Sequence, residues 1–447
     1  MTKKTPFNLK IAKNPVETFI KRSASGSFFL ILFAIIALIW ANSPWQESYH
    51  TFWNETFAIG FSNTDFIIEK PLYLWVNDGL MTIFFFYVGL EIKRELLDGE
   101  LTTMRKASMP IFAAIGGILV PIALFLLLNK GQTGTAGWGV PMATDIAFSL
   151  GILNLLGKRV PLGLKIFLTT FAVIDDIGAI VVIALFYSHE MHLSYLLIAL
   201  AILLFLAFLA YKKFHSKYLL LICGIVVWVL FLQSGIHPTI AGVLLALVIP
   251  SSRNMNLDNF FKEMRSSLHI FKKTEYEGIV LSDKQQDAVD RINLITDRVQ
   301  SPMQQLENGL SGWVAIVIMP IFALANAGIT INLDSLSDTH LISHIAIALV
   351  IGKVVGISLF SYLAYKLKIA VLPTGISFRQ IVGVSFLGGV GFTMSLFIAE
   401  LAFREDDLLT VSKIGILLGT LVAGLTGYLI LRFQLKKKEK ENASFPD

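Results

Sequence analysis

The chain has 447 residues, of which 55% are hydrophobic and only 15% are charged, and its formal net charge is +5. A soluble domain carries about 25% charged residues, so this composition excludes an ordinary soluble protein and predicts a membrane protein of many spans. The single cysteine, Cys223, lies in an apolar run. One thiol cannot form an internal disulfide or a cysteine-based zinc site, so we expect it to pack in the membrane region.

Twelve apolar runs are long enough, or nearly so, to cross a hydrocarbon layer of about 30 Å as helices. The eighth run is short, and the fourth is rich in glycine, threonine and proline. The predicted spans, numbered 1 to 12 in chain order, lie near 24–42, 72–97, 107–128, 137–156, 162–187, 193–212, 217–233, 236–250, 308–330, 342–366, 379–401 and 411–432.

Lysine and arginine are distributed unevenly between alternate connections. Of the 37 lysine and arginine residues, 32 lie in the N-terminal arm, in the loops that follow even-numbered spans, or in the C-terminal tail, including the helix ends beside these segments. This positive-inside pattern predicts that both termini are cytoplasmic. Orientation and attraction to anionic lipid explain the positive charge, so binding to nucleic acid is not expected. One cation, Lys353, lies inside span 10.

Two segments outside the spans have patterns of their own. Residues 56–70 predict an external β-hairpin around the turn SNTD. In the cytoplasmic connection 251–307, Ser282 and Gln285 resemble a capping box. Apolar residues at helical spacing then predict an amphipathic helix that leads into span 9, namely Val289, Ile292, Ile295, Val299, Met303 and Leu306.

The predicted organisation is therefore an arm, two groups of spans, a connection and a tail. The arm is 1–23, spans 1 to 8 fall within 24–250, the connection is 251–307, spans 9 to 12 fall within 308–432, and the basic cytoplasmic tail is 433–447. The pattern GxxxxGK[ST] does not occur in the sequence, so an ATP-driven pump is not supported.

Ionisable residues within spans are costly and usually functional. Asp175 and Asp176 in span 5 and Lys353 in span 10 have apolar-rich sequence on both sides, so we expect them to be functional. For Asp78 and Glu91 in span 2, the alternative to a functional role is a position in water at the end of a helix.

Adjacent helix residues point about 100° apart. One carboxylate of the Asp175–Asp176 pair can therefore face a cavity while the other faces a counter-ion, for which Lys353 is the obvious candidate. Such groups titrate as a coupled set. Deprotonated, the acids offer hard oxygen ligands to a small cation, and protonated they do not. Cation and proton would therefore compete for one site, which gives exchange if that site faces one side of the membrane at a time.

Spans 4 and 11 contain helix-breaking clusters. Because glycine costs about 1 kcal/mol in a helix interior, we expect both spans to contain an unwound stretch. The helix ends beside it would carry the partial charge of the helix dipole at mid-membrane. Asp145 would neutralise the partial positive charge of helix N-terminal ends, and Lys353 the partial negative charge of helix C-terminal ends. Broken spans at matching positions of spans 3–5 and spans 10–12 are typical of secondary transporters with inverted repeats. The alternative is that the glycines merely allow close helix packing. The clusters contain Gly137, Gly139, Pro141 and Thr144 in span 4 and Gly388, Gly389, Gly391 and Thr393 in span 11.

At these residues the sequence resembles the NhaA family of sodium/proton antiporters, over about residues 15 to 432. This family is itself an example of the matched broken helices, so the two observations are not independent. The resemblance implies an all-α polytopic membrane fold of about 12 helices, with two inverted three-helix repeats containing broken helices 4 and 11. The stretches that carry it are WVNDGLMTIFFFYVGLEIKREL, ATDIAFSLG, RVPLGLKIFLTTFAVIDDIGAI, SGIHPTIAGV, FALANAGI, GKVVGISLF and LGGVGFTMSLFIA.

The resemblance also implies the roles of the ion site. A sodium (or lithium) ion would be bound by Asp176, with Asp175 as the second essential acid and Lys353 as its partner. Thr144 and Asp145 would stand at the crossing of the unwound segments. No cofactor is implied, and the location would be the bacterial cytoplasmic (inner) membrane.

The resemblance further implies the regulatory and assembly regions. Asp78 would line the outer funnel, and His237 matches a family histidine associated with pH response, although a lone histidine at a helix end is most often structural. The hairpin 56–70 would join two protomers into a homodimer. Some relatives carry histidines where this chain has Asn308 and Ser311. The implied pH-regulating groups near the cytoplasmic funnel are Glu91, Arg94, Glu95 and Glu307.

The predicted function is electrogenic, pH-regulated exchange of cytoplasmic sodium (or lithium) for external protons, by alternating access at the Asp pair. A cation channel is the alternative, and an intramembrane enzyme is a weaker one. A di-aspartyl protease needs acids that meet across helices, which neighbours on one turn cannot do. A prenyl-transfer site would want DDxxD, whereas IGA follows the pair here.

Overall fold

The computed structural model is mainly helical and describes residues 15–60, 67–188, 191–212, 216–252, 255–274, 280–330, 339–373 and 375–443. A 3₁₀ helix, Thr135–Met142, precedes α5. The helices are α1 Pro15–Ala41, α2 Gln46–Asn54, α3 Leu72–Asp98, α4 Met104–Leu128, α5 Ile146–Leu155, α6 Leu162–Phe186, α7 Leu193–Tyr211, α8 Lys217–Ser234, α9 Thr239–Val248, α10 Leu257–Lys273, α11 Asp283–Val299, α12 Pro302–Asn326, α13 Thr339–Lys366, α14 Phe378–Gly388, α15 Phe392–Ala402 and α16 Asp406–Ala443.

Within the described residues, eight helices are long and apolar enough to cross a membrane, and three bent helix pairs raise this number to eleven if each pair is one span. The short apolar helix α9 comes in addition. The prediction of a polytopic helical membrane protein is therefore confirmed. The eight are α3, α4, α6, α7, α8, α12, α13 and α16, and the bent pairs are α1 with α2, the 3₁₀ helix with α5, and α14 with α15.

The chain turns sharply after the first predicted span. Helix α1 begins at Pro15, earlier than the sequence indicated, and the part from Gly26 meets α2 at 113°. Helix α2 was not predicted, because its mixed composition has no long apolar run. Its Tyr49 hydroxyl donates to the carbonyl oxygen of Leu324 at 2.8 Å, so tertiary packing against α12 helps to hold it.

The small sheet lies where the sequence predicted a hairpin. Strands β1 Thr56–Gly60 and β2 Ile67–Pro71 pair antiparallel, with Ile59 opposite Ile68. The turn SNTD falls at 62–65, outside the described residues. The pairing confirms the two strands.

Within its described residues, the connection between α9 and α12 contains two helices, of which the sequence predicted one. The capping box at Ser282 and Gln285 is present at the start of α11. The amphipathic helix does not run on into the next span, however. It ends at Val299, and α12 starts afresh with Ser301 as N-cap and Pro302 in its first turn. A proline in a helix interior lacks the N–H that the helix needs, which explains the break.

In the part of the chain that the structure describes, three π-helical turns interrupt long helices, and two of them lie beside predicted functional residues. Val76–Leu80 in α3 contains Asp78, and Ala348–Gly352 in α13 directly precedes Lys353. The third is Val314–Ile318 in α12. Such bulges occur often at functional sites because they change the direction of a side chain within a helix.

Helices α4 and α13 approach each other closely at two glycines. A Cβ atom on Gly116 would overlap the carbonyl oxygen of Gly356, and a Cβ atom on Gly356 would overlap that of Gly116. Small residues at such a crossing allow the backbones to touch. This contact sets the position of α13, and hence of Lys353, relative to the rest of the bundle.

Replacing Gly116 by Ala is expected to lower the free energy of unfolding by about 1–3 kcal/mol, because the added methyl group over-packs the crossing. The matched control is Gly309→Ala, where a Cβ atom meets nothing within 4 Å. That change should raise stability by about 1 kcal/mol through helix propensity. Thermal unfolding in detergent micelles measures both, and equal melting temperatures for the two variants would contradict the close packing.

Candidate functional site

Two interrupted helices meet at the centre of the site. The 3₁₀ helix and α5 diverge by 41°, and α14 and α15 by 44°. The extended residues Thr144 and Asp145 reach across to the other break. The Asp145 amide donates to the carbonyl oxygen of Val390 at 2.7 Å, and the Thr144 hydroxyl donates to that of Gly388 at 2.7 Å. The predicted glycines of span 11 therefore lie at this crossing, whereas Gly137 and Gly139 lie within the 3₁₀ helix that precedes the other break.

Asp145 caps two helices at once. Its Oδ1 accepts from the Phe148 amide of α5 at 2.9 Å, while its Oδ2 accepts from the amide and the hydroxyl of Thr393 in α15, at 3.1 and 2.5 Å. Two helix N-termini would otherwise leave partial positive charge in an apolar interior. The structure thus gives Asp145 the neutralising position that the sequence suggested.

Lys353 is fully buried and contacts one member of the aspartate pair. Its Nζ lies 2.6 Å from Oδ2 of Asp175 and 3.0 Å from the Thr144 hydroxyl. It also lies 5.6 Å from the centre of the Phe171 ring. The ammonium donates to Thr144, which in turn donates to a carbonyl at the end of α14. Lys353 therefore reaches the negative helix end through one hydroxyl.

Asp176 has a different environment from its neighbour. Its side chain is buried, and Oδ1 has no hydrogen-bond partner in the protein. It lines a cavity of about 60 Å³ together with Thr144, Asp145 and Glu91. That volume can hold several water molecules. One acid thus contacts a lysine, while the other faces a mainly apolar cavity to which Thr144, Asp145 and Glu91 add polar groups.

The cavity leads toward a cluster of ionic groups at the end of α3. Arg94 lies 2.5 Å from Glu307, 2.9 Å from Glu95 and 3.8 Å from Glu91. Oε1 of Glu91 is buried without a hydrogen-bond partner, and Glu91 lines the cavity. The structure therefore brings together all four residues of the predicted regulatory group, with Glu91 on the wall of the cavity that Asp176 also lines.

Asp78 and His237 meet away from that cavity. Lys70 in β2 lies 2.6 Å from Oδ2 of Asp78, and Nε2 of His237 lies 3.6 Å from Oδ1. The His237 ring also packs edge-on against Phe397, at 5.3 Å between centroids. The two residues that the resemblance assigned to separate roles thus share one polar cluster.

Sequence reasoning gave no role in these clusters to Thr393 or Lys70, and it missed one further contact between helices. Thr393 was identified only as part of a helix-breaking run, and Lys70 only as the last residue of the predicted hairpin. Asn77 and Asn326 exchange two amide hydrogen bonds, at 2.8 and 3.1 Å, between α3 and α12. They are 249 positions apart, and nothing in the sequence connects them.

Among the described residues there is no group of three or more His, Cys, Asp or Glu side chains that could hold a metal ion. A site for a monovalent cation as transported substrate differs from such a centre, because it can combine one carboxylate with hydroxyl and carbonyl oxygens. Asp176 and Thr144 on the cavity wall supply donors of this kind.

Comparisons with known proteins agree with this arrangement of charges and broken helices. The family model described as Na+/H+ antiporter 1 matches residues 17–431. A relative named Na(+)/H(+) antiporter NhaA, from Oleidesulfovibrio alaskensis, is 44% identical over 437 residues, covering 96% of each chain. Proteins of the same name are 44% identical over 428 residues in Koribacter versatilis and 42% over 421 in Phocaeicola vulgatus, covering at least 92% of either chain. The chain therefore belongs to the Na+/H+ antiporter 1 family, a family of transporters rather than enzymes.

Proposed function

We propose that the chain exchanges sodium (or lithium) ions for protons at Asp175 and Asp176, by alternating access. The observation that carries this proposal is the unequal environment of two adjacent, fully buried carboxylates. The Oδ1 atoms of both lack a hydrogen-bond partner, but Asp175 contacts Lys353 at 2.6 Å through Oδ2, whereas Asp176 forms no ion pair within the described residues and faces a cavity. A buried charge without a partner is costly, so an ion or a proton must compensate it.

Asp176 is the proposed ion ligand. Its carboxylate can combine with the Thr144 hydroxyl and water in the cavity to surround a small cation with hard oxygen atoms. A protonated carboxyl group is a much poorer ligand. Sodium and protons therefore exclude each other at Asp176, which prevents both from being carried in the same step.

Asp175 and Lys353 are the proposed second proton-exchanging unit. When an ion enters beside Asp176, Asp175 can turn from the ammonium toward it, and a lysine left without its counter-ion in an apolar interior gives up its proton readily. If two protons exchange for each sodium ion, net charge moves across the membrane. The membrane potential then contributes about 2.3 kcal/mol per charge per 100 mV, which favours proton entry and export of cytoplasmic sodium.

The proposed topology has twelve spans with both termini in the cytoplasm. The eleven spans available when each bent pair counts as one, together with α9, supply this number. Helix α4, the 3₁₀–α5 pair and α6 would form one repeat, and α13, the α14–α15 pair and α16 the inverted one. The crossing of the two bent pairs between repeats supports this assignment, because inverted-repeat transporters place broken helices at their ion site.

Regulation and assembly are proposed at the two ends of the molecule. The Arg94 cluster beside the cavity would set the pH response on the cytoplasmic side, and the Asp78–His237 cluster would line the outer funnel. Strands β1 and β2 would lie outside and join two protomers in the bacterial inner membrane. In support, the Arg94 cluster combines three carboxylates with one cation, which makes its charge balance sensitive to protons.

The comparisons give no support to the cation-channel alternative, and the site geometry disfavours it as well. The hydrogen bonds of Thr144 and Asp145 join the two breaks, and Asp176 lies on the wall of a small cavity beside them. A channel would need a continuous water-filled path past this point.

Transport by purified protein in liposomes tests the proposed exchange. A sodium gradient should drive proton movement reported by an internal pH dye, and a potassium diffusion potential imposed with valinomycin should change its rate because the exchange moves charge. The same liposomes without protein are the control. Sodium flux without coupled proton movement would indicate a channel, and a rate independent of the potential would contradict electrogenic exchange.

A further inference from the structure

Helix α10 belongs to the connection between α9 and α12 and has one covered face. Phe260, Met264 and Phe271 are partly covered on one side, where Ser267 is buried. Helix α11 packs against α10. The two helices thus form a hairpin whose interior accounts for this apolar face.

The apolar face of α10 continues beyond this covered side as an exposed stripe. Leu257 is 51% exposed, Phe261 56% and Leu268 52%. At 100° per residue, the three side chains fall within about 40° of one another. Neither the covered side of the hairpin nor the ion site uses this stripe.

Basic residues border the exposed stripe. Arg265 and Lys272 are exposed and lie about 80° and 60° from Leu257, beside the stripe, whereas Lys262 and Lys273 are exposed farther around, at about 140° and 160°. Asp258 lies at about 100° in the first turn, where it faces the positive helix end, and the other acid, Glu263, lies about 120° away on the other side. The stripe thus combines apolar groups with an excess of positive charge.

The chain keeps α10 close to the ends of membrane helices. Eight residues, 249–256, separate α9 from α10, a distance of at most about 30 Å. The Met303 amide donates to the carbonyl oxygen of Pro250 at 3.2 Å, which ties the start of the connection to α12. The hairpin is therefore held near the membrane surface at which α9 ends and α12 begins.

We propose that α10 lies in the interface of this membrane surface, with Leu257, Phe261 and Leu268 inserted and the basic residues on anionic phospholipid headgroups. Exposed apolar side chains beside lysine and arginine are the combination that interfacial helices use. The positive charge complements the anionic headgroups of a bilayer. This proposal stands independently of the exchange mechanism.

Single-cysteine labelling of the full-length protein tests the position of α10. In a Cys223→Ala background, an environment-sensitive fluorophore is attached at Phe261→Cys or, as the matched control, at Ser266→Cys on the exposed side away from the stripe. The protein is reconstituted in phosphatidylcholine vesicles with or without phosphatidylglycerol, together with nitroxide-labelled lipid as quencher. We expect strong quenching at position 261 in anionic vesicles and several-fold weaker quenching at 266.

A charge variant separates lipid binding from general burial. Lys272→Gln should shift the docking equilibrium about fivefold toward the undocked state, and added salt should act in the same direction. Equal quenching at positions 261 and 266, or no quenching in anionic vesicles, would overturn the proposal and would indicate that the stripe binds a soluble partner. Energy transfer between labels at 261 in two copies, without lipid quenching, would overturn it in favour of self-association.

Discussion

Replacing Asp176 by Asn is expected to reduce sodium-dependent proton exchange on the order of 100-fold, since losing a charged ligand of a small ion costs at least about 3 kcal/mol. The protein should remain folded and become no less stable. Oδ1 of Asp176 has no partner in the protein, so a neutral amide of nearly the same shape removes an uncompensated buried charge. Proton flux in liposomes and thermal unfolding in detergent micelles measure the two effects.

Two control variants make this test specific. Asp287→Asn makes the same chemical change at an exposed position of α11 and should leave exchange at the wild-type rate. Asp175→Asn should also abolish exchange, but it should lower stability, because it leaves the ammonium of Lys353 without its carboxylate. Wild-type exchange by Asp176→Asn would refute the ion site, and a large loss of stability would refute the description of Asp176 as unpartnered.

The second large effect is expected from Lys353. Replacing it by Met should lower the free energy of unfolding by about 3–5 kcal/mol, because the Asp175 carboxylate is then buried without its counter-ion. The loss should shrink as the pH falls, since a protonated Asp175 carries no charge to compensate. Thermal unfolding at a series of pH values measures this dependence.

A double variant distinguishes loss of the ion pair from loss of packing. Asp175→Asn combined with Lys353→Met removes both charges and should recover most of the stability that either single change loses. Lys284→Met, at an exposed lysine of α11, should stay within about 0.5 kcal/mol of the wild type. Additive losses in the double variant would show that the contact between Lys353 and Asp175 contributes little.

The buried charged residues show what kind of information the sequence contains. Asp175, Asp176 and Lys353 stand out because charged residues are rare in long apolar runs, and their cost makes them informative one at a time. The breaks at Thr144 and at Gly389 could be predicted for a similar reason, since glycine and proline act on the local backbone. The capping box at Ser282 is also local, and it was predicted correctly.

Features that depend on neighbours distant in the chain were predicted poorly. Helix α2 is held partly through Tyr49 and α12. Helix α10 was also not predicted, although its apolar residues recur at helical spacing on one side. The join of α11 to the next span was predicted wrongly, because helical spacing continues through Ser301 although the backbone does not. Asn77 and Asn326 pair across 249 positions, and no local pattern reports such a contact.

The sequence by itself determined that this is a membrane protein of many helices, which residues carry charge into the membrane, and where two helices break. The tertiary structure alone decided which acid contacts Lys353, which helix ends Asp145 caps, and that Asp176 faces the cavity. Adjacent residues on a helix have nearly identical sequence surroundings, yet they point about 100° apart. Only the packing of α13 and the crossing of the broken helices against α6 gives the two carboxylates different neighbours.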